Sequence, residues 1–358
     1  MSDRHQEYFE RLVDLDALES FLAAELGPAD HYEVERHEQG HSNETLFVDW
    51  GDAELVLRRP PPGSTADTAH EVLREYTVID ALQDTAVPVP PTVTASEDHA
   101  IIGSDFYVME RVEGSVLRDG EPDAFANGEA RNRIGTQLVD TLADIHGVDT
   151  TAVGLDEFGH PEGYTQRQVE RWGKQLAWAF EVTAEEREVP DLGRVGNWLE
   201  DNCPADHPHT LVHGDYKLDN VMFGPQRPVE LVAVFDWEMA TRGDPRCDVG
   251  WMLSYWRDAK DPEPVIDELV TDFMEQSDYP TRRELVDRWE ERTGLEYAEE
   301  HDRFYRTLAV YKLAGLGEMF YRRYLEGNSD NPMYPKMEDR VPALANRAVR
   351  IIEGEEPL

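Results

Sequence analysis

Lysine is nearly missing from this chain. Only five of its 34 cationic residues are Lys (Lys174, Lys217, Lys260, Lys312 and Lys336), against 75 Asp and Glu, for a formal net charge of −41. Nucleic acid is therefore not expected as a partner, because gripping a phosphate backbone takes basic surface. The acid is spread along the whole chain rather than gathered in a tail. That pattern predicts a halophilic protein, whose self-repulsion is screened by salt. Stability that did not rise between low salt and molar KCl would contradict it. Cysteine is scarce too. Cys203 and Cys247 stand far apart in no metal-binding spacing, which fits reduced thiols and a cytoplasmic protein. No apolar run approaches the roughly 18 residues of a membrane span. The acidic start, MSDRHQEYFE, lacks a signal-peptide pattern. No membrane partner is expected, and the sequon Asn43-Glu44-Thr45 is then idle. At 358 residues and 40% hydrophobic content, the chain is long and apolar enough for two domains or one two-lobed unit.

The most informative stretch runs from Leu211 to Trp251, LVHGDYKLDNVMFGPQRPVELVAVFDWEMATRGDPRCDVGW. Val221-Met222-Phe223 and Leu231-Val232-Ala233-Val234-Phe235 flank a Gly-Pro-Gln-Arg-Pro turn, which predicts a β-hairpin. Asp215 and Asn220 precede its first strand and Asp236 follows its second, so the three are expected on one patch. Two carboxylates and an amide oxygen suit a hard cation such as Mg²⁺ rather than zinc. Phosphoryl transfer needs such a set: one Asp for the attacking hydroxyl, an Asn and a second Asp for metal.

His213-Gly214-Asp215, with Asn220 five residues past the Asp and then Asp236-Trp237-Glu238, resembles the aminoglycoside phosphotransferase and choline kinase family. Gly214 stands where the protein-kinase signature has Arg. The resemblance covers residues of about 33 to 327. Its late helix, around Phe304 to Ala314, is similar to a subgroup that includes domains fused to acyl-CoA dehydrogenases. It implies an α+β, two-lobed protein-kinase-like fold, with an N-lobe over 1–112 and a C-lobe over 113–358. It also implies ATP, held with Mg²⁺ in the cleft. Asp215 is then the catalytic base and Asn220 and Asp236 are metal ligands. Lys217 lies near the γ-phosphate, neutralising developing charge. Gly40-His41-Ser42-Asn43 matches the phosphate loop. Arg58, or its neighbour Arg59, takes the place of the strand-three Lys, with Glu75 as its ion-pair partner. Met109 abuts the adenine, and the Glu110 carbonyl and Val112 N–H bond its edge. Asp248 is a structural brace of the catalytic loop.

One string misleads. His37-Glu38-Gln39-Gly40-His41 spells a zinc-protease motif, but that chemistry needs a helix, and Gly40 leads into a turn. Elsewhere, helices are expected over 16–26 with Asp16 as N-cap, 69–82, 132–146, 166–184, 192–202, 243–256, 265–275, 281–292, 297–325 and 337–352. Strands are expected over 32–38, 46–50, 54–59, 100–102 and 106–109. Trp172 and Trp178 read as helix core more readily than as pocket lining. The expected reaction is transfer from Mg·ATP to the hydroxyl of a small molecule, with the acceptor and oligomeric state unspecified. The alternatives are a catalytically silent nucleotide-binding module or an atypical protein kinase. Gly214 and the missing Asp-Phe-Gly and Ala-Pro-Glu segments weigh against the second.

Overall fold

The computed structural model describes residues 3–37, 43–63, 66–118, 120–267, 273–329 and 331–358. The chain forms two compact units. One comprises residues 1–114 with 232–240, the other 115–231 with 241–358.

In the first unit α1 (Asp3–Glu10) and α2 (Leu15–Leu26) precede the sheet. The N-cap of α2 is Asp14, not the expected Asp16. Asp14 has extended backbone and accepts from the Ala17 N–H at 3.1 Å, whereas Asp16 already lies in the first turn. The sheet holds β1 (Tyr32–His37), β2 (Glu44–Trp50) and β3 (Ala53–Arg59). After α3 (Ala66–Ala81) come β4 (Thr92–Ser96), α4 (His99–Ile102) and β5 (Phe106–Glu110). The strand order is β1-β2-β3-β5-β4, antiparallel throughout. Alternation puts Leu46 and Val48 of β2 and Leu55 and Leu57 of β3 into one core with Leu18 and Leu22 of α2 and Phe106 and Val108 of β5. Each such side chain contributes about 1.5–3 kcal/mol by leaving water.

Residues 100–102 are a helical turn rather than the expected strand. Asp98 caps it by accepting from the Ala100 N–H at 2.9 Å, and Gly103 closes it in the left-handed region. The edge strand β4 was hidden in the sequence by the Pro-rich run before it.

The second unit is mainly helical. It contains α5 (Gly128–His146), α6 (Tyr164–Thr183) and α7 (Pro190–Asp201), then the short strands β6 (Thr210–Val212) and β7 (Val221–Phe223). The turn of the expected hairpin follows β7, closed by the Gly224 N–H donating to the Glu230 carbonyl at 2.8 Å, and leads into β8 (Leu231–Val234), whose residues from Val232 on belong to the first unit. From β9 (Thr241–Gly243), which pairs with β6, the chain enters α8 (Arg246–Tyr255). The last helices are α9 (Arg282–Thr293), α10 (Glu299–Leu325) and α11 (Met337–Glu353). α10 packs against α6, α8 and α11, and α5 packs against α9. The buried charges on α10 are paired. Arg306 meets Asp302 at 2.6 Å, and Glu318 meets Arg187 at 2.8 Å.

The helix expected over 265–275 is not formed by its described residues. Residues 265–267 bend, Phe273–Glu275 is one 3-10 turn, and 268–272 lie outside the described residues. Pro262 and Pro264 supply no N–H donors. Arg257 ties the segment from outside, reaching the Pro262 carbonyl at 2.9 Å and Glu275 at 2.6 Å.

Candidate active site

The loop after β6 carries His213-Gly214-Asp215. Gly214 has φ of 85°, in the left-handed region where a side chain is strained. That is a physical reason for Gly at a place where the protein-kinase signature has Arg. Asp248, fully buried at the start of α8, accepts from the His213 N–H at 2.7 Å and the Gly214 N–H at 2.8 Å. It also meets His146 Nε2 at 3.3 Å. The Trp289 indole N–H donates to His146 Nδ1 at 2.9 Å. An indole nitrogen only donates, so His146 carries its proton on Nε2 and donates to Asp248. Burial works to raise the Asp248 carboxyl, but the hydrogen bonds from His146 and the loop hold it below its ordinary value.

A 3-10 turn over Leu218–Asn220, with the Asn220 N–H bonded to the Lys217 carbonyl at 3.0 Å, folds the next residues back. The sequence spacing therefore becomes contact. Asn220 Nδ2 donates to the Asp215 carbonyl at 2.8 Å and to its Oδ2 at 2.9 Å. Lys217 Nζ reaches the same Oδ2 at 2.6 Å, and the Trp251 indole N–H donates to Oδ1 at 2.7 Å. Burial would raise the Asp215 carboxyl, but Lys217 and Lys312 bring it below its ordinary value. Both amide protons of Asn220 are spent on Asp215. Its Oδ1 receives no hydrogen bond among the described residues and keeps a lone pair for a cation.

The first unit gathers a second group. Arg58 Nη2 meets Glu75 at 3.2 Å, and Nη1 meets the Thr45 hydroxyl at 3.3 Å. Glu75 is almost fully buried. Burial works to lower Arg58, but Glu75, then Tyr107 and Asp236, hold it above its ordinary value. Arg58 Nε is buried without a partner among the described residues. Arg59 is otherwise committed. Its Nε donates to the Pro60 carbonyl at 3.0 Å and its Nη1 to the Ile102 carbonyl at 2.8 Å. The choice left open by the sequence thus falls on Arg58 as the partner of Glu75. Asp236 belongs to this unit and takes φ of 65°, a strained backbone found more often at functional sites than elsewhere. Just after it, Trp237 is buried and donates to the Val234 carbonyl at 3.1 Å. Met109 is buried near the end of β5, Glu110 ends the strand, and Val112 follows it. Asn43 lies in a bend before β2. Gly40, His41 and Ser42 lie outside the described residues, as does the zinc-like string beyond His37.

A family model described as the phosphotransferase enzyme family matches residues 33–285. The chain belongs to that family. A curated relative, acyl-CoA dehydrogenase family member 11 of Rattus norvegicus, is 35% identical over 326 residues, which cover 89% of this chain and 40% of the relative. The family chain thus spans well under half the length of that relative. A solved structure from Ralstonia eutropha, provisionally described as an aminoglycoside phosphotransferase, is 29% identical with a TM-score of 0.81, covering 96% of this chain and 99% of its own. A spectinomycin phosphotransferase in complex with ADP and spectinomycin is 11% identical with a TM-score of 0.57, covering 94% of this chain and 99% of its own. The α+β fold is the kinase-like fold of the aminoglycoside phosphotransferases.

In this phosphotransferase-family chain a small pocket of about 20 Å³ opens beside Lys217. Leu117, Leu138, Met252, Tyr255, Trp256 and Phe273 contribute to its wall. Trp172 and Trp178 do not. Trp172 is buried in the helical core, and Trp178 is 40% exposed under the Arg322 guanidinium. Sequence reasoning missed Trp251, Lys312, His146 and Trp289. Lys312 left a trace as a lone cation in the aromatic and apolar run of α10. The other three read as ordinary core.

Proposed function

We propose that this chain transfers the γ-phosphoryl group of Mg·ATP to the hydroxyl of a small molecule. One observation carries the reading. Asp215 is a half-buried carboxylate, kept ionised by neighbouring Lys, beside an Asn whose oxygen has no hydrogen-bond donor among the described residues and a pocket that opens at its ion-pair partner. The residues fit magnesium and nucleotide. Asn220 Oδ1 and the Asp236 carboxylate are hard oxygen donors, and the unpartnered Arg58 Nε is a guanidinium N–H that a phosphate oxygen would satisfy. Bound Mg·ATP supplies the phosphoryl group and the charge neutralisation for its transfer.

The chain's own side chains do the rest. Asp215 orients the acceptor hydroxyl and takes its proton. Lys217 leaves Asp215 and neutralises negative charge that develops on the transferring group. Arg58 grips the phosphates, and Glu75 holds Arg58 in place. The sequence Gly40-His41-Ser42-Asn43 supports a role in binding the phosphates. Met109 would hold the adenine, with the Glu110 carbonyl and the Val112 N–H as the groups that would bond its edge. The spectinomycin phosphotransferase complex holds ADP and an aminoglycoside 2'-phosphotransferase complex holds GDP, which together support a nucleotide. The pocket wall joins apolar side chains with Lys217, Arg118 and Asp219, and two cations against one carboxylate favour an acceptor of low positive charge over a polycation. A reduced compartment suits the two free cysteines.

The test is ADP release from Mg·ATP with and without a panel of alcohols that includes aminoglycosides, choline and neutral and acidic hydroxy compounds. Acceptor-dependent release supports the reading. Nucleotide binding with no turnover on any acceptor would leave the alternative of a silent nucleotide-binding module.

A further inference from the structure

Asp215 is held from a side that no metal or nucleotide role explains. Its Oδ1 accepts the Trp251 indole N–H at 2.7 Å. Trp251 is 5% exposed and sits in α8, three residues past the Asp248 that ties down the loop backbone. On the indole face, 3.9 Å from the ring centre, lies the ammonium of Lys312, which also donates to the Gly214 carbonyl at 2.8 Å. Burial pushes the Lys312 ammonium down, and the charges of Asp215 and Asp248 oppose that. One cation from α10 thus grips both the loop backbone and the ring that grips the carboxylate. A partly buried cation on an aromatic face is an attractive contact, and it limits the freedom of the indole to turn. The two carboxylate oxygens differ as a result. Oδ2 is held by Lys217 and Asn220, residues with other proposed duties, whereas Oδ1 is held by a side chain with none.

We propose that Trp251 is a positioning residue. With Lys312 behind it, it fixes the plane of the Asp215 carboxylate and keeps it aimed when Lys217 turns to the phosphates. This rests on the phosphotransferase reading for its consequence in turnover, but the anchor itself is observable without turnover.

Trp251→Phe keeps the ring under Lys312 and removes only the donor. ADP release from Mg·ATP, with water and with the best acceptor of the panel, is expected to fall roughly 10- to 100-fold in kcat, the scale of one hydrogen bond to a charged group. KM for Mg·ATP stays within about twofold, since one misdirected carboxylate does not alter uniform nucleotide binding. Separately, the indole of Trp251 in protein labelled with ¹⁵N-tryptophan should show a downfield N–H proton. The resonance is identified by its loss in Trp251→Phe. It should move upfield in Asp215→Asn, where a neutral acceptor replaces the anion. Unchanged kcat in Trp251→Phe beside an active wild type overturns the proposal and leaves the phosphotransferase reading intact. An indole resonance indifferent to Asp215→Asn overturns it whatever the turnover. A wild type inactive with every acceptor removes the reaction, and the resonance then decides the anchor alone.

Discussion

The two groups of charged side chains are built on opposite plans. In the second unit Asp215 has a donor on each oxygen, and its backbone hangs from a buried chain that runs from Trp289 through His146 to Asp248. In the first unit Arg58 faces Glu75 across a single strand-to-helix pair, keeps one N–H without a partner among the described residues, and feels Asp236 on a strained turn. One arrangement satisfies its carboxylate and fixes it in space. The other leaves a half-buried cation with one buried N–H that has no partner among the described residues. A carboxylate that must point at one hydroxyl needs orientation, whereas a cation that must meet phosphates needs spare donors.

Substitutions can break that contrast. The largest effect is expected from Asp215→Asn, which keeps shape and removes the base. Steady-state ADP release should lose roughly 10²- to 10⁴-fold in kcat, the range of general-base catalysis, with nucleotide affinity by calorimetry unchanged. Normal turnover in that variant would falsify the assignment. Asp248→Ala comes next. It leaves two backbone N–H groups of the loop without an acceptor, and urea unfolding should show a loss of about 3 kcal/mol. A variant as stable as the wild type would mean that the buried chain does not brace the loop.

Glu75→Gln tests the other plan. It frees Arg58 from its counter-charge and should raise KM for Mg·ATP about tenfold, the worth of one charge-assisted contact, with a smaller change in kcat. Should kcat fall and KM hold, the two groups would not differ in the way described. The smallest effect concerns acid. Burial works to raise both Asp248 and Glu356, but His146 in the first case and Arg347 in the second leave each below its ordinary value. A carboxyl depressed in the folded state binds protons less readily there than when unfolded. It therefore stabilises above the unfolded value of about 4, and that stability is lost as pH falls through the depressed value. Melting by circular dichroism should be flat from pH ~7 to ~5 and fall below ~4, with a shallower fall in Glu356→Gln. An identical acid limb in that variant would remove Glu356 from the account.

Much of the site was readable in one dimension because its parts are local. The five-residue step from Asp215 to Asn220 becomes contact through one 3-10 turn, and such turns are written in short sequence. The hairpin was readable from two apolar runs around a Gly-Pro turn, and α3 from its repeat of Val72, Tyr76, Ile79 and Leu82, of which Tyr76 is only half-buried and Leu82 lies just past the helix. Failures came where a local signal was ambiguous or was overruled. Ala100-Ile101-Ile102 is apolar enough for a strand, but Asp98 and Gly103 cap it as a helical turn. The sequence over 265–275 carries helical spacing, yet its described residues do not form that helix, and Arg257 tethers the segment from outside.

Residue order alone determined β1, β2, β3, α3 and β5 of the first unit, the spacing that joins Asp215 to its amide partner Asn220, and the family resemblance. All of these rest on periodicity and spacing within a few turns of chain. Tertiary structure alone decided which of two adjacent arginines meets Glu75, and that Trp251, Lys312, His146 and Trp289 serve Asp215 rather than merely fill core. Those partners lie 36 to 143 residues apart along the chain in the hydrogen bonds they make. Indole, imidazole and ammonium groups carry no mark of their partners in sequence, and only packing chooses which of them is buried against which charge.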